Sequence, residues 1–176
     1  MPAGDAKGSS IVNVGWEWIV RAVAIGVGAT VVMDLWGLLL RRAFGVASLD
    51  YALVGRWLGH LPRGRFVHDG IGRSAPVAGE RAIGWLAHYA IGIGFAGLLL
   101  LVAGPEWGRR PTLLPALAFG LVSVAAPFLV MQPGLGLGIA ASRAPRPAIA
   151  RLRSLMTHAV FGMGLYLAAL VVAGLG

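Results

Sequence analysis

Four long runs of apolar and small residues alternate with connections that hold most of the charge. The runs cover residues 19–40, 82–103, 112–131 and 155–172. Each has about the 20 residues that a helix rising about 1.5 Å per residue needs to cross a hydrocarbon core of about 30 Å. The pattern predicts four transmembrane helices. A weaker period lies between the first two runs, where Leu49, Leu53, Trp57 and Leu61 recur every four residues. It predicts a short interfacial helix over 48–61, with Ser48 as N-cap and Arg56 and His60 snorkelling to the headgroups. The polar segment 1–15 is expected to be a mobile tail. Trp16 and Trp18 are expected at one membrane interface, and Trp107 at the interface opposite Trp85. Pro127 should kink the third helix. The stretch Gln132-Pro133-Gly134-Leu135-Gly136-Leu137-Gly138 should not hold a regular helix, and its Gly-x-Gly-x-Gly run suits either a backbone loop over 131–141 that re-enters the membrane or a plain flexible exit from the third helix.

Composition agrees with the pattern. Of 176 residues, 57% are hydrophobic and 12% charged, with mean hydropathy +0.78; soluble domains have about 25% charged residues. A soluble enzyme is excluded, and the size suits one membrane domain over 1–176. There is no cysteine, so thiolate chemistry and Cys-held metal are excluded. The net charge of +8 would suggest nucleic acid if it lay on one binding face. Instead it follows topology. Arg41, Arg42, Arg56, Arg63, Arg65, Arg73, Arg81, Arg143, Arg146, Arg151 and Arg153 fall after the first and third runs, against Lys7, Arg21, Arg109 and Arg110 on the other side. By the positive-inside rule the first face is cytoplasmic and both termini lie outside. The partner implied is a lipid bilayer, with a homo-oligomer or membrane complex as a further possibility, and nucleic acid is not expected. The strongest basic pair follows the first run, so a retained helix is expected and not a cleaved leader.

One carboxylate, Asp34, stands inside the first run. Intramembrane ionisable groups are costly and face a bundle interior or cavity. Asp34 precedes Arg41 by two helical turns, while His88 and His158 follow Arg81 and Arg151 by two turns. Gln132 enters from the same side. The spacing predicts a polar layer of Asp34, His88, Gln132 and His158 about 10 Å inside the membrane. Thr30 lies one turn from Asp34 on the same stripe as Ala22 and Gly26. Such a layer suits transport of a small solute or ion, with the two histidines as a proton relay. Alternatives are a redox subunit in which His88 and His158 ligate haem or a metal, and an accessory or assembly protein without chemistry of its own. No cofactor is expected otherwise. The nucleophile, phosphate-loop and metalloprotease motifs are absent, so enzymatic activity has no motif behind it.

The second and fourth runs share a register. His88-Tyr89-Ala90-Ile91-Gly92-Ile93-Gly94 matches His158-Ala159-Val160-Phe161-Gly162-Met163-Gly164, and Val102-Ala103-Gly104 matches Val172-Ala173-Gly174. Val32-Met33-Asp34 stands against Val130-Met131-Gln132 in the other pair. A parallel repeat of two helical hairpins would produce this.

Several stretches are distinctive as words: Asp34-Leu35-Trp36, Leu53-Val54-Gly55-Arg56-Trp57-Leu58-Gly59-His60, Gly64-Arg65-Phe66-Val67-His68-Asp69, Gly84-Trp85-Leu86-Ala87-His88-Tyr89, Met131-Gln132-Pro133-Gly134 and Arg151-Leu152-Arg153-Ser154. Together, over roughly 21–169, they resemble a family of small bacterial inner-membrane proteins catalogued only as a domain of unknown function. The resemblance implies an all-α polytopic four-helix bundle and implies no activity or catalytic residue.

Overall fold

The structure is a computed structural model that describes the backbone of residues 5–175 and the side chains of residues 15–175. Of the segment expected as a mobile tail, residues 1–4 lie outside the described residues, and the rest is helical. The elements are α1 (Asp5–Phe44), α2 (Tyr51–His60), α3 (Glu80–Ala103), α4 (Pro105–Arg109), α5 (Leu113–Ser123), α6 (Gln132–Gly134) and α7 (Pro147–Gly174). No strand occurs among the described residues. Four stretches are long and apolar enough to span a bilayer: Gly15–Phe44, Glu80–Ala103, Leu113–Gly134 and Pro147–Gly174. The protein is a polytopic four-helix membrane bundle.

The fourth helix starts earlier than the hydropathy suggests. Pro147 opens it in the first turn, where its missing N–H costs nothing, so Arg151, Arg153 and Ser154 are helical and not part of a loop. The third span is interrupted at Pro127, which cannot donate a helical hydrogen bond. The chain widens there into a π turn over Pro127–Met131 before α6 closes it.

Small residues set the packing. α1 lies between α3 and α7, α7 packs on α5, and α3 meets α5 lightly through Phe95 and Phe119, whose rings are 6.1 Å apart. A Cβ on Gly26 would overlap the backbone of Gly92 and Ile93, and one on Gly120 would overlap Gly162. Lipid tails are as apolar as leucine, so these helices gain by dispersion at close backbone approach. Ile25, Ala29, Leu99, Leu165 and Ala169 form the core, while Leu86, Leu101, Val102, Leu114 and Val122 point outward. Trp107 is not an interfacial anchor. It is buried, its indole donates to the Thr112 carbonyl at 3.1 Å, and the neighbouring Gly108 carbonyl accepts from Arg21 at 3.0 Å.

The segment after α1 turns back along it. Val46 N–H donates to the Leu40 carbonyl, and the Ser48 hydroxyl reaches the Gly37 carbonyl at 3.2 Å. Ser48 is thus occupied elsewhere, and the N-cap of α2 is Asp50, which accepts from Ala52 N–H at 3.0 Å. α2 then runs antiparallel to the first turns of α3 and does not lie isolated in the headgroups. Gly55 packs on Glu80, and Gly84 packs on the Tyr51 carbonyl, so closely that neither site has room for a Cβ. Arg56 and His60 do not snorkel. Arg56 grips Glu80 with two bonds, at 2.7 and 2.8 Å, and also donates to the Ser74 carbonyl. Trp57 donates to the Phe66 carbonyl at 2.9 Å.

The glycine run after α6 is a docking strip for the loop between α2 and α3. His68 N–H donates to the Gly134 carbonyl at 3.1 Å and Ile71 N–H to the Leu135 carbonyl at 3.0 Å. Gly136, at φ +92°, lies against His68 and Gly70. Gly136→Ala adds both a left-handed strain of about 1–2 kcal/mol and a backbone overlap. A fall in thermal unfolding temperature in detergent, larger than that of Gly72→Ala in its open surroundings, is the expected result.

Candidate functional site

Asp34 lies ten residues before the end of α1, and His88 eight residues inside α3. At about 1.5 Å per residue both sit roughly 12–15 Å from the arginine-rich end of their helices. α1 and α3 cross closely at Gly26 and Gly92, which brings the two side chains together two turns further along α1 and one turn back along α3. His88 Nε2 is 2.9 Å from Asp34 Oδ1. Tyr89, the next residue on α3, donates its hydroxyl to Asp34 Oδ2 at 3.0 Å. Both carboxylate oxygens are therefore engaged, and the side chain is only 22% exposed.

Tyr51 completes the cluster. Its hydroxyl lies 2.9 Å from the same His88 Nε2, and its ring stacks on the imidazole with centroids 4.2 Å apart and planes at 28°. Trp85 flanks the Tyr51 ring at 4.6 Å. Burial, and then the negative charge of Asp34, raise the Tyr51 pKa above its ordinary value. The phenol therefore keeps its proton through physiological pH and serves as a donor.

The chemistry turns on one nitrogen facing two partners. When Nε2 carries a proton it donates to the carboxylate. When it does not, it accepts from the Tyr51 hydroxyl. A proton can leave or return to the imidazole without leaving Nε2 unpaired in either state.

The other expected members lie elsewhere. Thr30 is 1% exposed and donates to the Gly26 carbonyl of its own helix at 2.7 Å, at the α1–α3 crossing. Ser123 spends its proton on the Gly120 carbonyl at 2.6 Å, so its oxygen accepts from His158 Nδ1 at 2.8 Å. Gln132 donates to the Ser154 hydroxyl at 3.2 Å, one turn before His158. Asp34 and His88 thus share one hydrogen-bonded cluster, while His158 and Gln132 bond between the third span and α7. Among the described residues no three His, Asp or Glu side chains gather around one point.

The family model for a protein of unknown function, DUF2938, matches residues 23–172. The chain belongs to the DUF2938 family. No curated protein and no solved structure matches it significantly. The DUF2938 match spans all of the cluster, from Asp34 through Tyr51 to His88 and Tyr89.

Tyr51 and Tyr89 are the members that sequence reasoning missed. Tyr89 adjoins His88, but a helix turns about 100° per residue, so neighbours are expected on different faces. Its long phenol reaches Asp34 nonetheless. Tyr51 is hidden because the period over 48–61 predicts a helix lying in the interface, away from α3. A signal was present in Tyr51, Gly55 and Gly59, a four-residue stripe able to meet Gly84 across a close contact.

Proposed function

We propose that the protein moves a small solute or ion across the bacterial inner membrane and that Asp34 and His88 exchange the coupled proton, with the Tyr51 hydroxyl as donor to the unprotonated His88 Nε2. The observation behind this reading is the shared contact of His88 Nε2 with Asp34 and the Tyr51 hydroxyl, inside a span and partly open to the surroundings. Intramembrane carboxylate–imidazole pairs serve proton relays in pumps and transporters. In the proposed orientation the arginine-rich end, with Arg41 and Arg42 in the last turn of α1, faces the cytoplasm. Both termini then lie on the far side.

The two glycine crossings, Gly26 with Gly92 and Gly120 with Gly162, favour the parallel repeat. Their register is one helical turn away from the one that pairs Asp34 with Gln132. In it Phe128 is the counterpart of Asp34, and the second histidine, His158, meets Ser123 and no carboxylate.

The test is proton movement in proteoliposomes loaded with a pH-sensitive dye and driven by an imposed potential, with candidate ions and solutes supplied in turn. Proton flux above that of empty vesicles, lost in His88→Gln, is the expected result; flux equal in both proteins would end the proposal. Haem ligation by His88 and His158 draws less support, because His88 Nε2 would have to give up both of its present partners.

A further inference from the structure

A second pair of histidines lies outside the span, where α2 meets the loop to α3. His60 is 3% exposed and His68 8%. Each ring is oriented through one nitrogen. His60 Nε2 contacts the Ala75 carbonyl at 3.0 Å and must therefore carry the hydrogen, which leaves Nδ1 as a bare lone pair in the neutral ring. His68 Nδ1 is 2.9 Å from the Ser74 hydroxyl. The remaining nitrogens, His60 Nδ1 and His68 Nε2, are buried with no hydrogen-bond partner. Leaving a buried polar atom unpaired is costly, and here two occur on adjacent rings.

The rings are 5.2 Å apart, centre to centre, and inclined at 59°. Two imidazoles bound at about 2.1 Å to one tetrahedral ion place their ring centres roughly 5 Å apart. Metal-binding histidines characteristically give their other ring nitrogen to a carbonyl or a similar oxygen; His60 Nε2 gives its hydrogen to the Ala75 carbonyl, and His68 Nδ1 faces the Ser74 hydroxyl, whose oxygen can accept in the same way. The pair shares no hydrogen bond with the Asp34 cluster and makes a separate site.

We infer that His60 and His68 bind one borderline transition-metal ion of the Zn²⁺ class, with solvent completing its coordination. Neutral imidazole is the ligand such ions favour, while Mg²⁺ and Ca²⁺ prefer oxygen. The ion would staple the end of α2 to the loop that docks on the glycine strip after α6. Occupancy would therefore stiffen the contact between the two halves of the chain.

The experiment uses untagged full-length protein in mild detergent, stripped with a chelator, exposed to Zn²⁺ and passed over a desalting column before metal analysis. One Zn²⁺ per chain is expected in the unaltered protein, with a rise in unfolding temperature. His60→Asn and His68→Gln should each lose it, while His88→Gln and His158→Gln keep it. Magnesium at the same concentration should not be retained. Absence of retained Zn²⁺ in the unaltered protein overturns the inference without any variant having to fold. Retention in both the His60 and the His68 variant overturns it equally.

Discussion

Asp34→Asn is expected to lower proton-coupled flux at least tenfold, the effect of about 1.4 kcal/mol on a barrier, and to leave the bundle folded. Asparagine keeps the size of the side chain, and its amide oxygen can still accept from Tyr89 or His88. It cannot carry the negative charge that receives the imidazole proton at Oδ1. Asp34→Ala goes further: it strands the Tyr89 hydroxyl and leaves His88 Nε2 only the Tyr51 hydroxyl. With each unpaired donor costing about 1–3 kcal/mol, this variant should also unfold at lower temperature. Tyr51→Phe separates the parts of the mechanism. It preserves the ring stacked on His88 and removes the hydroxyl, so the unprotonated nitrogen loses its donor while the contact with Asp34 survives. Its flux should fall between that of the unaltered protein and that of Asp34→Asn. Proteoliposome flux across the three variants measures this order.

The second large effect comes from a residue without a side chain. Gly84→Val should detach α2 from α3, because the new Cβ would occupy the place of the Tyr51 carbonyl. Overpacking of side chains costs about 1–3 kcal/mol, and here the obstacle is backbone, which cannot rotate away. Tyr51 would leave His88, and the Arg56–Glu80 grip would be strained from the same hinge. Gly94 of the same helix faces open space and supplies the control. Gly84→Val should both destabilise the protein and reduce flux, while Gly94→Val should do neither. Hydrogen exchange of the α2 amides, read by mass spectrometry in detergent, should rise in Gly84→Val alone.

The four spans were legible because a bilayer demands long apolar helices, and their number and order follow from hydropathy. Their ends were less so. α7 begins eight residues before its apolar run, since arginine stems extend a helix past the hydrocarbon edge. The pairing of Asp34 with His88 followed from depth, counted in turns from Arg41 and Arg81. Depth alone cannot tell which helices are neighbours. His158 and Gln132 have matching depths, yet they bond Ser123 and Ser154. The loops were misjudged for a related reason. His60 and Arg56 are polar and lie between spans, so they read as snorkelling to the headgroups. Their partners are backbone carbonyls and Glu80, contacts set by a turn of chain that no periodicity records. The glycine run after α6 likewise carries no mark of the loop that docks on it.

In the proposed mechanism Asp34 and His88 together take up and release a proton within the membrane. Infrared difference spectroscopy of the protein in lipid, recorded as pH is lowered from mildly alkaline to mildly acidic, reads this exchange. Carboxylate and imidazole bands should change together, with the carboxylate band lost in Asp34→Asn and altered in His88→Gln. A difference spectrum unchanged by Asp34→Asn would contradict it, and would leave Asp34 as a structural bond between α1 and α3.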